Sequence, residues 1–110
     1  MEREAGSEGL DRALLEALRP RSLRERLSLG VVGGWSAIQA LDRLPVELRA
    51  WLEDGAAHPG LGRRQAVDTV ALRLRALADE GRVRRARAGL ATDVRVKGVR
   101  LIEVDVFRLP

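Results

Sequence analysis

The stretch from Gly62 to Val83, GRRQAVDTVALRLRALADEGRV, constrains the fold more than any other part of this chain. A helix over about 63–80 would carry six apolar side chains at the i, i+3, i+4, i+7 spacing of a helix that packs on a core. These are Val67, Val70, Ala71, Leu74, Leu77 and Ala78. Gly81 predicts a left-handed end of this helix, and an extended, strongly basic run follows. We therefore expect a long core helix that leads into a basic strand.

Length and composition predict one small folded domain. A chain of 110 residues, 45% of them hydrophobic, can build one core but not two ordinary domains. No apolar run approaches the length of a membrane span, and the polar, acidic N-terminus lacks a secretory signal. The chain has no cysteine, which excludes disulfides and thiolate metal sites. We predict a cytoplasmic protein without a cofactor, in which residues 1–8 are disordered and residues 9–110 form a single domain.

The two halves of the chain carry opposite charge. Residues 1–60 contain 8 basic and 10 acidic residues, whereas residues 61–110 contain 12 basic and 6 acidic ones. The positive field of the C-terminal half favours a polyanionic partner. All the basic residues except Lys97 are arginine, whose planar fork suits phosphates and base edges. The alternative is that the arginine bias reflects coding composition.

Helical spacing and capping patterns predict four short helices before the long one. They are expected over Leu10–Arg19, over Leu23–Leu29, from Ser36 onward and over Pro45–Glu53. Pro20 ends the first, Ser22 caps the second, and Gly30 stops it. Val31-Val32 could then add a very short strand. The tryptophans, Trp35 and Trp51, are expected to pack in the core or between helices.

A β-hairpin is predicted after the long helix. Arg82–Ala88 forms one arm, Gly89 to Asp93 is rich in turn residues, and Val99–Phe107 alternates as the other arm. Both faces of the second arm are partly apolar. This arm is therefore expected to pack on two sides or to pair with another chain.

The order of capped short helices, long helix, glycine and basic hairpin resembles the winged helix-turn-helix family of DNA-binding regulators. The resemblance covers about Pro45 to Leu109 and is carried by Val67, Val70, Leu74, Leu77, Gly81 and Val83. It implies an α+β fold, with a helical N-terminal part and a winged helix-turn-helix that has a C-terminal β-hairpin wing. It also implies double-stranded DNA as the partner of a small homodimeric transcriptional regulator.

Four side chains on the outer face of the long helix are candidates for base contacts: Gln65, Asp68, Thr69 and Leu72. In the major groove, Gln65 can bond adenine, Asp68 can accept a hydrogen bond from cytosine, and Leu72 can touch a thymine methyl. Two alternatives stay open. The face is an ordinary solvent face with Arg75 paired to Asp79, or Leu72 and Ala76 contact a protein partner.

The densest charge lies along the hairpin, and together with the arginines of the long helix it supplies the candidates for phosphate contacts. These are Arg63, Arg64, Arg73, Arg75, Arg84, Arg85, Arg87, Arg95 and Lys97. Such contacts would give affinity with a steep salt dependence. The alternative is an edge strand that its charges protect from aggregation. Glu103 and Asp105 would neutralise part of this charge.

Catalysis is poorly supported by the sequence. His58 is the only histidine, and no nucleophile or metal ligand accompanies it at a definable spacing. The carboxylates of Asp42, Glu47, Glu53 and Asp54 have the spacing of a solvated helix face. We therefore predict a DNA-binding protein that is not an enzyme and does not enter membranes, with its dimer contact in the two N-terminal helices. The alternative is a winged-helix module that binds a protein and not DNA.

Overall fold

The computed structural model describes residues 2–54, 61–92 and 100–110, and at 2–8, 61, 90–92 and 100–102 it describes the backbone alone. Within these ranges the chain is α+β, as predicted, with a helical part followed by a C-terminal antiparallel hairpin. The helices are α1 (Glu2–Ala17), α2 (Leu23–Val32), α3 (Ala37–Asp42), α4 (Val46–Glu53) and α5 (Leu61–Asp79). The strands are β1 (Arg84–Thr92) and β2 (Arg100–Arg108).

The first helix is longer than its apolar spacing indicated. Its backbone begins at Glu2, whereas the predicted start was Leu10, and it ends at Ala17, before Pro20. The disorder predicted for residues 1–8 stays a prediction, because their side chains lie outside the described part of the structure.

The second helix does not stop at Gly30. Ser22 caps it as predicted, since its Oγ accepts a hydrogen bond from the Glu25 backbone N–H at 3.1 Å. The helix then continues through Val31 and Val32 to Gly33, which has a φ of 93°. Both the stop at Gly30 and the short strand at Val31-Val32 were therefore wrong predictions. A helical glycine costs only about 1 kcal/mol, so it does not end a helix unless the backbone turns left-handed there.

The third and fourth helices begin where their capping signals predicted. Ser36 and Gln39 form both hydrogen bonds of a capping box at the start of α3. Pro45 is the N-cap of α4. Leu48 and Leu52 are partly buried against the core, but Trp51 is 59% exposed, so its predicted position in the core or between helices was wrong. No residue of this eight-residue helix is fully buried, and its packed side does not include the tryptophan.

The long helix is the centre of the packing. Its most buried side chains are Ala66, Val70, Leu74 and Leu77, each fully inaccessible, and Val67 and Ala78 pack at the edge of this face. Compared with the predicted face, the buried face of α5 is therefore rotated slightly toward Ala66. Helices α1, α3 and α4 and strand β1 all contact α5. Gly81 ends this region in a left-handed conformation, with a φ of 78°, as predicted.

The hairpin is paired without a break over its described length, from Arg84 opposite Arg108 to Thr92 opposite Arg100. The turn predicted from Gly89 to Asp93 was therefore wrong over residues 89–92, which belong to β1. Residues 93–99 lie outside the described ranges, and so do the predictions for the hairpin tip. Val106 and Phe107 are both buried, although successive strand residues point to opposite faces. The second arm therefore packs on two sides near its end.

An isolated β-bridge between Trp35 and Phe107 helps to tie the helical part to the hairpin. The Trp35 N–H donates to the Phe107 carbonyl at 2.7 Å, and the Phe107 N–H donates to the Trp35 carbonyl at 2.8 Å. Trp35 also donates its indole N–H to the Leu18 carbonyl at 3.0 Å. Gly34 permits this approach, because a Cβ at that position would lie 2.7 Å from the Phe107 carbonyl oxygen.

Within the described ranges, none of the helices combines the length and the apolar character needed to cross a lipid bilayer.

Candidate nucleic-acid interface

The outer face of α5 carries all four candidates for base contacts. Gln65, Asp68, Thr69 and Leu72 are exposed, and Leu72 has 63% of its surface accessible. They lie on the side of the helix opposite the buried Val70 and Leu74. The hydroxyl of Thr69 donates to the Gln65 carbonyl at 2.9 Å, which leaves only its lone pairs and its methyl group for a ligand. The face is therefore free to contact a partner along about two helical turns.

The charge on this outer face is mixed. Arg64 is exposed and forms no ion pair with any described residue, and Asp68 and Asp79 are exposed on the same helix. The face alone therefore gives little net attraction for phosphates. Any strong attraction to a polyanion must come from the hairpin and the ends of α5.

Arg73, a candidate for a phosphate contact, is bound within the fold. Its Nε and Nη2 donate to the two carboxylate oxygens of Asp11 at 2.9 and 2.6 Å. Asp11 is buried on α1, so this two-point contact fixes α1 against α5. The hydrogen bond from Arg73 to Asp11 is the main reason that the pKa of Arg73 is raised. Arg73 lies on the α1 side of α5, away from Leu72.

Arg63 is also paired with carboxylates. Its Nη2 lies 2.9 Å from Asp42 Oδ1, and its Nη1 lies 3.6 Å from Glu53 Oε1. The hydrogen bond to Asp42 is the first cause of its raised pKa. Two of the four carboxylates that the sequence assigned to a solvated face thus contact the start of α5 from α3 and α4. All three side chains are partly exposed, so this contact adds little to stability.

The carboxylate of Asp105 forms ion pairs with three of the candidate arginines. Asp105 on β2 lies 2.8 Å from Arg85 Nη2, 3.6 Å from Arg75 Nε and 3.5 Å from Arg87 Nε. Its side chain is only 11% exposed, and Oδ1 accepts no hydrogen bond from a described residue despite the nearby Arg87 Nε. We call Asp105 with these three arginines the Asp105 cluster. The alternative prediction that Arg75 pairs with Asp79 was wrong, because Arg75 reaches across to the hairpin.

Fewer cationic side chains are left without an ion pair than the sequence suggested. Arg84 is exposed and has no ion pair among the described residues. The exposed Arg87 also contacts Glu103 at 3.3 Å. Arg95 and Lys97 lie outside the described ranges. Exposed ion pairs of this kind contribute about 0–1 kcal/mol each, so a phosphate can compete for the same guanidinium groups.

An open groove of about 340 Å³ separates α5 from the hairpin. Its walls are mainly apolar, and the Asp105 cluster closes one side. The apolar lining comes from Ala37, Ile38, Val67, Ala71, Val104 and Phe107.

Arg43 has a structural role that no sequence pattern indicated. Its Nε donates to the carbonyl of Ala17, the last residue of α1, at 2.6 Å, and its Nη2 donates to the carbonyl of Arg19 at 2.7 Å. It also bonds the carboxylate of Glu25 at 2.8 Å and stacks 4.1 Å above the Trp35 ring. The hydrogen bond from Arg43 is the first cause of the lowered pKa of Glu25. Each partner is distant in sequence, so no local pattern could have identified this contact.

Comparisons with protein-family models, with curated proteins and with solved structures found no match for this chain. Among the described residues, no group of three or more His, Asp or Glu side chains is placed to hold a metal ion.

Proposed function

We propose that this protein binds double-stranded DNA and acts as a small cytoplasmic transcriptional regulator without catalytic activity. The observation that carries the proposal is the common exposure of Gln65, Asp68, Thr69 and Leu72 on one side of α5. This helix leads directly into the basic hairpin. The arrangement fits the winged helix-turn-helix mode, in which a helix enters the major groove and a hairpin follows the adjacent backbone.

The proposed roles divide between two surfaces. The outer face of α5 reads base edges, with Gln65 directed to adenine and Leu72 to a thymine methyl. Phosphate contacts come from Arg64, Arg84 and the more exposed members of the Asp105 cluster, which exchange a carboxylate for a phosphate. Such contacts fix the orientation of a protein on the duplex without reading sequence.

One of the nine candidates for phosphate contacts takes a different role in this proposal. Arg73 holds α1 against α5 through the buried Asp11, so it positions α5 and does not touch DNA. Arg63 is paired with the exposed Asp42, so a phosphate can compete for it. The polyanion is attracted by residues 61–110 as a whole, in which basic residues outnumber acidic ones by 12 to 6.

The second candidate function is binding to a protein partner through the same face. The pairing of Arg75, Arg85 and Arg87 with Asp105 favours it, because a strong phosphate-binding surface would leave more of its cations unpaired. The exposed Leu72 would then be the centre of the contact. The two functions differ in their response to salt, since apolar contacts do not release counterions.

Fluorescence anisotropy on a pool of random duplexes tests the proposal. Binding at low salt, with an affinity that falls steeply as salt is raised, is the expected result. Selection from the pool should then enrich a defined site. No duplex binding at low salt would exclude the DNA function and favour the protein partner.

A further inference from the structure

The second helix exposes a row of apolar side chains that the fold does not use. Leu23, Leu27 and Val31 are 71%, 65% and 88% exposed, and their spacing of four residues places them along one face. No residue of α2 is buried. The helix is attached mainly by polar contacts at its start, where Glu25 bonds Arg43. An apolar row of this length on a small protein marks an interaction surface.

The charges beside this row are positive. Arg24 and Arg26 are exposed on either side of it, and neither forms an ion pair with a described residue. Glu25, the acidic residue of α2, is directed inward and held by Arg43. The α2 surface, formed by Leu23, Leu27, Val31, Arg24 and Arg26, is therefore apolar and basic.

Two copies of α2 do not complement each other. An antiparallel pair centred on Leu27 would place Arg26 of one copy close to Arg26 of the other, with no carboxylate on that face to separate them. Like charges brought together at an interface oppose association. The partner of the α2 surface should therefore combine apolar side chains with negative charge.

The fourth helix presents that combination. Val46, Ala50 and Trp51 are exposed on α4, and Glu47 is exposed beside them. We call these four residues the α4 surface. In one molecule both surfaces face solvent, so they do not cover each other. They begin at the same edge of the protein, because Arg21 and Val46 line one groove and Arg21 donates to the Arg43 carbonyl at 3.1 Å.

We propose that two copies of this chain associate about a two-fold axis that places α2 of each copy on α4 of the other. The apolar row of α2 then contacts Val46 and Trp51, and Arg26 lies near Glu47 of the second copy. Because both surfaces share one edge, one axis forms the contact twice and closes the assembly as a dimer. The α1 face is not part of this interface, since Leu10, Leu14 and Leu18 are buried in the core. The inference does not depend on DNA binding.

Sedimentation equilibrium with charge-reversed variants tests this arrangement. The wild-type chain should be a dimer at micromolar concentration, and Arg26→Glu and Glu47→Arg should each weaken dimerisation about tenfold or more. The double variant should restore most of the lost affinity, because it reverses both partners. Arg12→Glu, a change of the same charge at an exposed position of α1, is the control and should leave the dimer unchanged.

Tryptophan fluorescence gives a second measurement that does not rely on charge. Trp51 should move from water into the interface, so the emission of the wild type should shift to shorter wavelength as the dimer forms. Trp51→Phe should abolish this shift. A monomer at all concentrations, single variants without effect, a double variant without rescue, or growth beyond a dimer would each overturn the proposal.

Discussion

Arg73 on α5 and Asp11 on α1 form a two-point ion pair, with N–O distances of 2.9 and 2.6 Å, between residues that lie 62 positions apart in sequence. Arg73 belongs to the basic set that suggested phosphate contacts. Its carboxylate partner is buried, so the pair fixes the angle of α5 and is costly to break from one side. The same arginine-rich helix therefore serves two purposes, with Arg73 holding the fold and Arg64 facing solvent.

Arg73→Ala should destabilise the protein by about 1–3 kcal/mol, because it leaves the buried Asp11 carboxylate without its donors. Arg64→Ala removes the same side chain from an exposed position of the same helix and should change stability by less than about 0.5 kcal/mol. Urea unfolding followed by circular dichroism measures both. Equal stability of the two variants would mean that the ion pair does not hold α1 against α5.

Gly34→Ala should break the bridge between Trp35 and Phe107. The new Cβ would lie 2.7–2.8 Å from backbone atoms of Phe107, so the chain must move apart there. We expect the free energy of unfolding to fall by about 1–3 kcal/mol, which is typical of an inserted group that the backbone cannot accommodate.

Gly30→Ala is the matched control. No atom of a described residue lies within 4 Å of its Cβ position, and alanine should stabilise α2 by about 0.5–1 kcal/mol. Thermal unfolding of the two variants should therefore shift in opposite directions.

Glu25 should make stability depend on pH in the acidic range. Its pKa is lowered from 4.5, first by the hydrogen bond from Arg43. A carboxylate whose pKa is lower in the folded state stabilises the fold above its unfolded pKa, and this contribution is lost as pH falls through the folded pKa. Glu25→Gln should therefore be less stable than the wild type near neutral pH, and the difference should vanish in acid. Arg43→Ala should remove the larger part of this pH dependence, since the Arg21 backbone N–H also lowers the pKa of Glu25, and its full persistence in both variants would contradict this assignment. Melting temperatures recorded from neutral to acidic pH provide the measurement.

Short sequence patterns predicted the helices and their ends better than they predicted which charged side chains form ion pairs. The caps at Ser22 and Ser36 and the left-handed Gly81 depend on neighbouring residues only, so the sequence identified them. The apolar period of α5 likewise placed its buried face to within one residue. Other features depend on packing that no short pattern contains. The pairing of residues 89–92 in β1 belongs to this class, as does the exposure of Trp51.

In the candidate interface, too, some features follow from a local sequence pattern and others depend on tertiary packing. Exposure of the outer face of α5 follows from the helical period, so the four candidates for base contacts lie together as expected. The partners of the arginines come from α1, α3, α4 and β2, and these distances could not be read from a linear sequence. The Glu25 carboxylate beside the Ser22 cap has both kinds of contact, because it accepts locally from the Arg21 backbone N–H at 2.6 Å and also from Arg43, 18 positions away, at 2.8 Å.

Asp105→Asn should strengthen non-specific DNA binding if the Asp105 cluster competes with phosphates. The change releases Arg75, Arg85 and Arg87 from their common carboxylate, so more guanidinium groups can contact the duplex. We expect tighter binding to random duplex and a steeper salt dependence. Asp79→Asn removes the same charge from an exposed position of α5 outside the cluster, and it should have the smaller effect. Equal effects of the two substitutions would show that the change in net charge alone alters the affinity for DNA. Anisotropy titrations at several salt concentrations distinguish these results.

Substitutions on α5 and on the hairpin should change DNA binding in two different ways. Arg84→Ala should weaken binding to every duplex alike and lower the salt slope by about one, because a phosphate contact releases a counterion without reading sequence. Arg84 is preferred to Arg85 for this test, since removing Arg85 also disturbs Asp105. Gln65→Ala should instead cost about 1–3 kcal/mol on the selected site and little on random duplex, because it removes a contact to a base edge.

The control for both measurements is Arg12→Ala, at an exposed position of α1 outside the proposed interface. It should leave the affinity for the selected and the random duplex unchanged. If Gln65→Ala weakens binding to both duplexes equally, α5 does not read bases, and the duplex is bound by charge alone. If Arg84→Ala leaves the salt slope unchanged, the hairpin does not contact phosphates. The two substitutions therefore test the helix and the wing separately, since a base contact and a phosphate contact differ in sequence dependence and in counterion release.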